Sequence, residues 1–368
     1  MEQIYLSAIR WLYEIIYIQQ FELNELVSTI KTIIYPMKKY LPIKAGLLAL
    51  GLLAMNGCAK NKEVDPSITN IAVTNPDFQE LEDAAIRGNV AVLLGNKNED
   101  PASGGKFTVF APTNAAFSRL GLNTAQDLGA LQQSFLQSTL YYHVFSGTLA
   151  GSALTAGSTS GSALGVTRRI IRRADGTLYV NGSKILGTDV KAANGLIHPI
   201  DKVLLATGVD ILNSALALQS SKVFVKPELT FLVEAVVYCN LQGGLTGSPG
   251  SAPLTVFAPT DQAFKDLGVL LGVPLNQPSD IRKLPVATVT AVLLNHVVGG
   301  AQGGKFTPEL PENTSVASAG GAPVVLGGFQ SGVLTVKGAS NTVPANMVIP
   351  DVQCTNGVVH VIDRVLLP

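Results

Sequence analysis

The chain has 368 residues, room for two ordinary domains and a leader, and its 47% hydrophobic content with 36 Gly and 20 Pro excludes a disordered chain and fits a compact, loop-rich one. Its 26 basic and 26 acidic side chains cancel to a formal net charge of +0, so no bulk field draws it to nucleic acid or an anionic membrane surface. Charged residues are only 14% of the whole, which leaves the surface to Ser, Thr, Gly, Asn and Ala.

The first stretch, Ile4–Tyr35, is rich in Ile and Tyr and holds the single Trp, Trp11. Next comes the basic segment Met37-Lys-Lys-Tyr-Leu-Pro-Ile-Lys44, then the apolar run Ala45–Met55, laid out as the n-region and h-region of a secretory signal. The apolar run is short for a membrane span. Because such signals begin a chain, Met37 reads as the true start and residues 1–36 as a mis-called upstream start. The other reading is an added N-terminal membrane segment interrupted by Arg10 and Glu14, charges that are costly in lipid. The run ends in Met55-Asn-Gly-Cys58, which resembles a bacterial lipobox with Asn56 an unusual occupant. That resemblance implies cleavage before Cys58 and acylation of its thiol; a plain signal peptide with an incidental Cys is the alternative. Residues 37–57 thus read as a lipoprotein signal peptide and 58–70 as a polar, lipidated tether.

Beyond the tether, Pro76–Ile86 keeps Phe78, Leu81 and Ala85 at helical spacing with acids in its first turn. A polar loop over 96–105 leads to Phe107-Thr-Val-Phe-Ala-Pro-Thr-Asn-Ala-Ala-Phe-Ser-Arg-Leu-Gly121. The spacing predicts a helix over 128–144, a Gly/Ser-rich loop over 149–162, and a hairpin in which 167–171 and 178–181 flank Asp175-Gly176. A short strand over 184–190 follows, then Asn194–Leu205 as a turn and strand. A helix-like connector over 210–218 leads to a second round: a helix over 229–240, a Gly-rich loop over 241–251, and Leu254-Thr-Val-Phe-Ala-Pro-Thr-Asp-Gln-Ala-Phe-Lys-Asp-Leu-Gly268. After it come a helix over 286–296, a strand over 333–337 and the closing strand Asn356–Pro368.

The two long motifs are an internal repeat. In each, β-branched and aromatic residues suit a strand, and Pro112 or Pro259 ends it. Thr113 or Thr260 is placed to cap the next helix, and Gly121 or Gly268 to stop it. Thr-Val-Phe-Ala-Pro-Thr-(Asn/Asp)-x-Ala-Phe, then Tyr-His-Val, then Asn-Gly-x-(Ile/Val)-His-x-Ile-Asp-x-Val-Leu-Leu resembles the fasciclin domain, in the family's order, in both copies. The second copy departs with Asn295-His296 in place of Tyr-His. The resemblance implies an α+β fold in two tandem domains, 71–207 and 208–368, each a wedge of β-strands with helices packed around it. It also implies a non-catalytic role in adhesion, with no cofactor, in contact with a cell, a matrix or a polysaccharide. The runner-up is a surface or periplasmic glycan-binding module of a nutrient-uptake system.

The His residues number 4: His143 and His198 in the first copy, His296 and His360 in the second. A metal site needs three or four clustered donors, and each copy offers two His far apart in sequence. His198-x-x-Asp201 and His360-x-x-Asp363 resemble half of a catalytic diad, but residues three apart on a strand point to opposite faces. The sequence therefore predicts structural histidines tied to backbone groups. In the family a Tyr-His pair is proposed as part of an adhesion motif, which the resemblance carries to Tyr142 and His143; the alternative is a core tyrosine whose hydroxyl finds a partner. Arg168, Arg169, Arg172 and Arg173 are either a charged guard on an edge hairpin or a patch for an anionic ligand. Cys239 and Cys354 form a disulfide or stand as two buried free thiols, and both readings stay open.

Overall fold

The computed structural model describes residues 65–219, 228–247 and 251–368, and Val64–Pro368 packs as one compact unit. Cys58, the signal segment and residues 1–36 lie outside the described residues.

The first repeat starts inside the stretch expected to be tether. The Ser67 hydroxyl accepts from Asn70 N and opens helix α1 (Ile68–Thr74). Ile68 is buried, and its N–H donates to Asn194 Oδ1 at 2.9 Å, far along the chain. Residues 67–70 therefore belong to the folded repeat. A 3-10 turn leads to α2 (Gln79–Arg87), then α3 (Ala91–Gly95), strand β1 (Phe107–Pro112) and α4 (Asn114–Ser118). The single helix expected over 128–144 is two, α5 (Ala125–Ala130) and α6 (Gln133–His143), because Leu131 and Gln132 are extended. Strands β2 (Val144–Ser146), β3 (Thr159–Ser160), β4 (Arg168–Arg172) and β5 (Leu178–Val180) follow, with Gly176 at φ +83° turning the Asp175-Gly176 hairpin. In place of one strand over 184–190 stand β6 (Ser183–Lys184) and β7 (Val190–Ala192); then come β8 (Gly195–Ile200) and β9 (Leu205–Ala206).

The second repeat runs through α7 (Ile211–Gln219), α8 (Thr230–Tyr238), α9 (Gln242–Thr246), β10 (Leu254–Pro259), α10 (Asp261–Leu271), α11 (Val286–Asn295) and β11 (Val297–Val298). It ends with β12 (Thr314–Ala317), β13 (Pro323–Leu326), β14 (Thr335–Gly338), β15 (Ala345–Cys354) and β16 (Gly357–Ile362). The expected connector over 210–218 is α7, the counterpart of α1: Ile211 N donates to Asn356 Oδ1 at 2.9 Å, as Ile68 N does to Asn194.

The repeated motif lies at the centre of each repeat. β1 runs parallel to β8 from Phe107↔Gly195 to Pro112↔Ile200, and β10 parallel to β16 from Leu254↔Gly357 to Pro259↔Ile362. Alternation along β1 sends Val109 and Ala111 into the core beneath the helices and Phe110 into a second core with Ile170 and Val180. Val256 and Ala258 against Phe257 repeat that division. The strand is buried on both faces, which is why it reads as a nearly unbroken apolar run. In the first repeat the two layers are sheets of order β2-β1-β8-β7 and β3-β4-β5-β6. In the second they are continuous, β11-β10-β16-β15-β14-β13-β12. β9 joins that second sheet, pairing parallel with β15 at Leu205↔Val352 and Ala206↔Gln353.

The corner after each motif is half as expected. Thr260 Oγ1 accepts from Ala263 N at 3.1 Å, whereas Thr113 makes no such side-chain bond. Gly121, at φ +74°, lies beyond α4, but Gly268 stays inside α10, which stops at Gly272. Gly268 is there for closeness, since a Cβ would meet Val273 O at 2.7 Å.

Candidate functional site

Three of the residues singled out in the first repeat, Tyr142, Arg169 and Arg173, lie at its contact with the second. β4 is an inner strand, between β3 and β5, so its arginines do not guard an edge. Arg168 is 0% exposed: Nε donates to Ser160 Oγ at 3.1 Å, one guanidinium nitrogen to Tyr142 O at 2.7 Å and the other to Gly161 O. Its guanidinium lies 4.8 Å from the Phe110 ring centroid, and burial lowers its pKa to about 10, which leaves it charged at neutral pH.

Arg169 and Arg173, on the opposite face of the hairpin, reach the second repeat. Arg169 donates to Gly304 O at 2.6 Å, pairs with Glu309 at 2.9 Å and covers the Phe306 ring at 4.6 Å. Arg173 donates to Pro308 O at 3.2 Å, pairs with Glu312 and lies 3.9 Å over Phe329. Arg172, exposed, donates to Gly176 O of its own hairpin. The run is thus no free patch for an anion: Arg169 and Arg173 clamp the second repeat, and Arg168 is enclosed within the first.

Tyr142 belongs to the same junction. It is fully buried; its hydroxyl donates to Gln353 Oε1 and accepts from Asn181 Nδ2 at 2.6 Å, and Gln353 Nε2 donates to Thr167 O at 3.0 Å. Burial raises the Tyr142 pKa, so the phenol stays protonated as the donor. A side chain so enclosed offers no surface to a receptor.

Beside it lies a buried ion pair that the sequence reading did not single out. Lys202 Nζ donates to Asp351 Oδ2 at 2.7 Å, to Gly332 O at 2.7 Å and to Thr307 Oγ1 at 3.2 Å. Asp351 also accepts from Thr307 N at 2.7 Å and lies 3.8 Å from His360 Nδ1. Burial opposes ionisation of Asp351, but Lys202, His360 and these hydrogen bonds outweigh it and hold its pKa below the ordinary carboxylate value. A Cβ on Gly182 would meet the Asp351 carboxyl carbon at 1.9 Å, so only glycine lets the first repeat approach here.

The four histidines form two matching pairs. His143 and His296 each donate from Nδ1, to Thr139 O and Val292 O at 2.7 Å, and accept at Nε2 from Leu204 N and Leu366 N. His198 and His360 accept at Nδ1, from Asp189 N and Asp351 N, and direct Nε2–H to Leu149 O and Lys305 O. Neither reaches the aspartate three residues on: Asp201 accepts from Lys184 N at 2.7 Å and Asp363 from Asn346 N at 2.8 Å. Desolvation pushes the pKa of His143 and His296 down to about 4. Cys239 and Cys354 are free thiols; Cys354 is buried, with its pKa raised to about 11 by that burial, and Cys239 is partly exposed. Among the described residues no group of three His, Cys, Asp or Glu is arranged to hold a metal ion.

Sequence reasoning missed Lys202, Asp351 and Gln353, and it placed Asn194 and Asn356 in a repeated turn motif without a role for their side chains. Asn194 and Asn356 had a signal, the repeated Asn-Gly before the last strand; each carboxamide ties that turn to the first helix and to the end of the third, Asn194 Nδ2 donating to Leu94 O and Asn356 Nδ2 to Leu245 O. The others are single occurrences, visible only once the repeats are docked.

With this duplicated architecture in place, the comparison with known proteins is direct. The fasciclin domain profile matches residues 76–206 and again 227–368, and the chain belongs to the fasciclin-domain family. A Synechocystis protein, sll1483, is 30% identical over 164 residues, covering 44% of this chain and 88% of that one. The immunogenic protein MPB70 of Mycobacterium bovis is 30% identical over 187 residues, covering 44% of this chain and 91% of its own. Human periostin is 26% identical over 271 residues, which span 72% of this chain and 28% of periostin.

Proposed function

We propose that this is a non-catalytic adhesion protein, exported and held at a bacterial surface by acyl chains on Cys58, with its two fasciclin domains making contact with cells, matrix or polysaccharide. Family membership in duplicate supports the adhesive reading. The observation that carries its non-catalytic part is the state of the imidazoles: each histidine ring has one nitrogen donating to and one accepting from the backbone. A neutral imidazole has no further capacity, so none is free to move a proton for a substrate. Among the described residues no helix is long and apolar enough to cross a membrane.

Beads carrying the protein through its N-terminal end test the adhesive part. Clumping of the beads, or their capture by the producing cells or their polysaccharide, is expected; beads that stay dispersed and bind neither would overturn it. Cys58→Ser tests the anchor: the variant should leave the membrane fraction, and one that stays there contradicts acylation at this thiol.

A further inference from the structure

A cavity of about 250 Å³ lies within the second repeat, bounded by α7, α8, α9 and the end of α11 and by the face of β10 that carries Val256 and Ala258. Its walls are aliphatic, with Ile211 and Ala215 from α7, Leu232 and Val236 from α8, Leu245 from α9 and Val256 from β10. Two polar side chains border it, and both are engaged elsewhere. Ser214 Oγ donates to Asp210 O at 2.6 Å, and His296 uses both ring nitrogens on Val292 and Leu366. A bound water needs two to four polar partners, and neither of these side chains has a hydrogen bond to spare, so the lining favours an apolar occupant. An apolar cavity of roughly 150 Å³ already takes up benzene.

The first repeat is the internal comparison. The same place, between α1, α2, α3 and β1, holds a cavity of only about 90 Å³. Counting from the proline that precedes each opening helix, Phe78 of the first repeat corresponds to Leu229 of the second and Glu82 to Val233. Leucine for phenylalanine takes a ring away from the cavity wall, the second repeat's own ring, Phe231 at the place of Glu80, lying outside the lining, and valine for glutamate removes a carboxylate from it. Leu229 is also held at φ +65°, a left-handed conformation that a bulky non-glycine residue seldom adopts and that the surrounding structure must enforce. The second repeat's cavity is thus the larger of the two, although Val236 takes the place of Ala85 in its lining.

We propose that this cavity binds one medium-length acyl chain by its hydrocarbon tail. Walls with no unengaged donor or acceptor select hydrocarbon for the buried part of a ligand. A flexible unbranched chain can follow a space shaped by four helices while its polar end stays at the mouth.

The test uses the full chain, stripped of lipid, titrated with dodecanoic acid by calorimetry and native mass spectrometry. One acid per chain with saturable binding is expected. Ala215→Phe, which fills the space from α7, should weaken binding at least tenfold while the protein still melts cooperatively, and Leu229→Phe, which copies the first repeat, should do the same. If one of these fails to fold, the other gives the reading, and Val236→Phe stands as a third. Ala72→Phe, at the equivalent place in the first repeat, should leave binding unchanged. Phosphatidylcholine vesicles form the second arm. Binding of the free acid alone identifies a fatty acid as the source, and vesicle binding lost in Ala215→Phe identifies a lipid chain. No saturable binding of either by the wild type, or equal binding by the folded filled variants, would overturn the proposal.

Discussion

The imidazoles hold the backbone through their neutral form, and that makes them sensitive to acid. His143 and His296 accept a backbone N–H at Nε2, and protonation there would both break that bond and place a charge in a site that excludes water. Their folded pKa of about 4 lies below the ordinary 6.5, so between those values the unfolded chain binds protons that the folded chain does not. Stability should be complete above pH 6.5 and fall as the pH drops toward 4, by on the order of 3 kcal/mol for each histidine at the foot of the window. Urea unfolding at pH 7 and pH 4.5 measures this. His143→Phe and His296→Phe should each be less stable at pH 7 and less sensitive to acid; a variant whose acid slope matches the wild type would show that its histidine is not the titrating group. Tyr142→Phe removes the hydroxyl shared by Asn181 and Gln353 without changing the ring. It should cost about 1–3 kcal/mol by chemical denaturation, because those carboxamides stay buried without it.

At the level of elements, the two strand–turn–helix corners read almost alike in sequence and differ in their bonds. Thr260→Ala should cost about 1 kcal/mol through the lost cap to Ala263, whereas Thr113→Ala, with no cap bond to lose, should fall within roughly 0.5 kcal/mol of wild type in the same urea titration. Equal losses would mean that the hydroxyls act through something other than the cap. What could be read from sequence was what depends on neighbours: the central strand, the helix after it, the Asp175-Gly176 hairpin and the strand after Asn194. The repeat made the fold class secure, because a long motif in two copies with its Tyr-His and Asn-Gly partners leaves few alternatives. The arginines show where that legibility ends. Alternation correctly put Arg168 and Arg169 on opposite faces of a strand, but not which face met Phe110 and which met Glu309, residues 58 and 140 positions away by the sequence numbering. A solvated edge and a buried inner strand have the same local pattern. Cys239 and Cys354 teach the same point, since pairing depends on where two distant segments lie and no local signal records it.

For the whole molecule, the contact between repeats decides whether adhesion uses two independent heads or one surface. Flexibly linked heads gain from effective concentration, whereas docked heads present their contacts at a fixed separation and engage only partners that match it. β9 supplies a strand to the second repeat's sheet, the Arg169 and Arg173 clamp closes one side, and the Lys202–Asp351 pair is buried between them. Such a pair is weak evidence of net stabilisation but strong evidence of mutual dependence, because removing one partner leaves the other charged and dry. Lys202→Met should therefore cost roughly 3–5 kcal/mol, more than a surface lysine could, and should loosen the junction. Adding Asp351→Asn to it should recover part of that loss, since the unpaired carboxylate is then gone, and the non-additivity is the measure of the pair. Scanning calorimetry should show the wild-type repeats unfolding in one transition and Lys202→Met separating them into two. If the wild type already melts in two steps, or the double variant is as damaged as the sum of its parts, the repeats are not coupled through this pair. Should the coupling hold, bead clumping by Lys202→Met compared with wild type then distinguishes one fixed adhesive surface, which would weaken, from two independent heads, which would not.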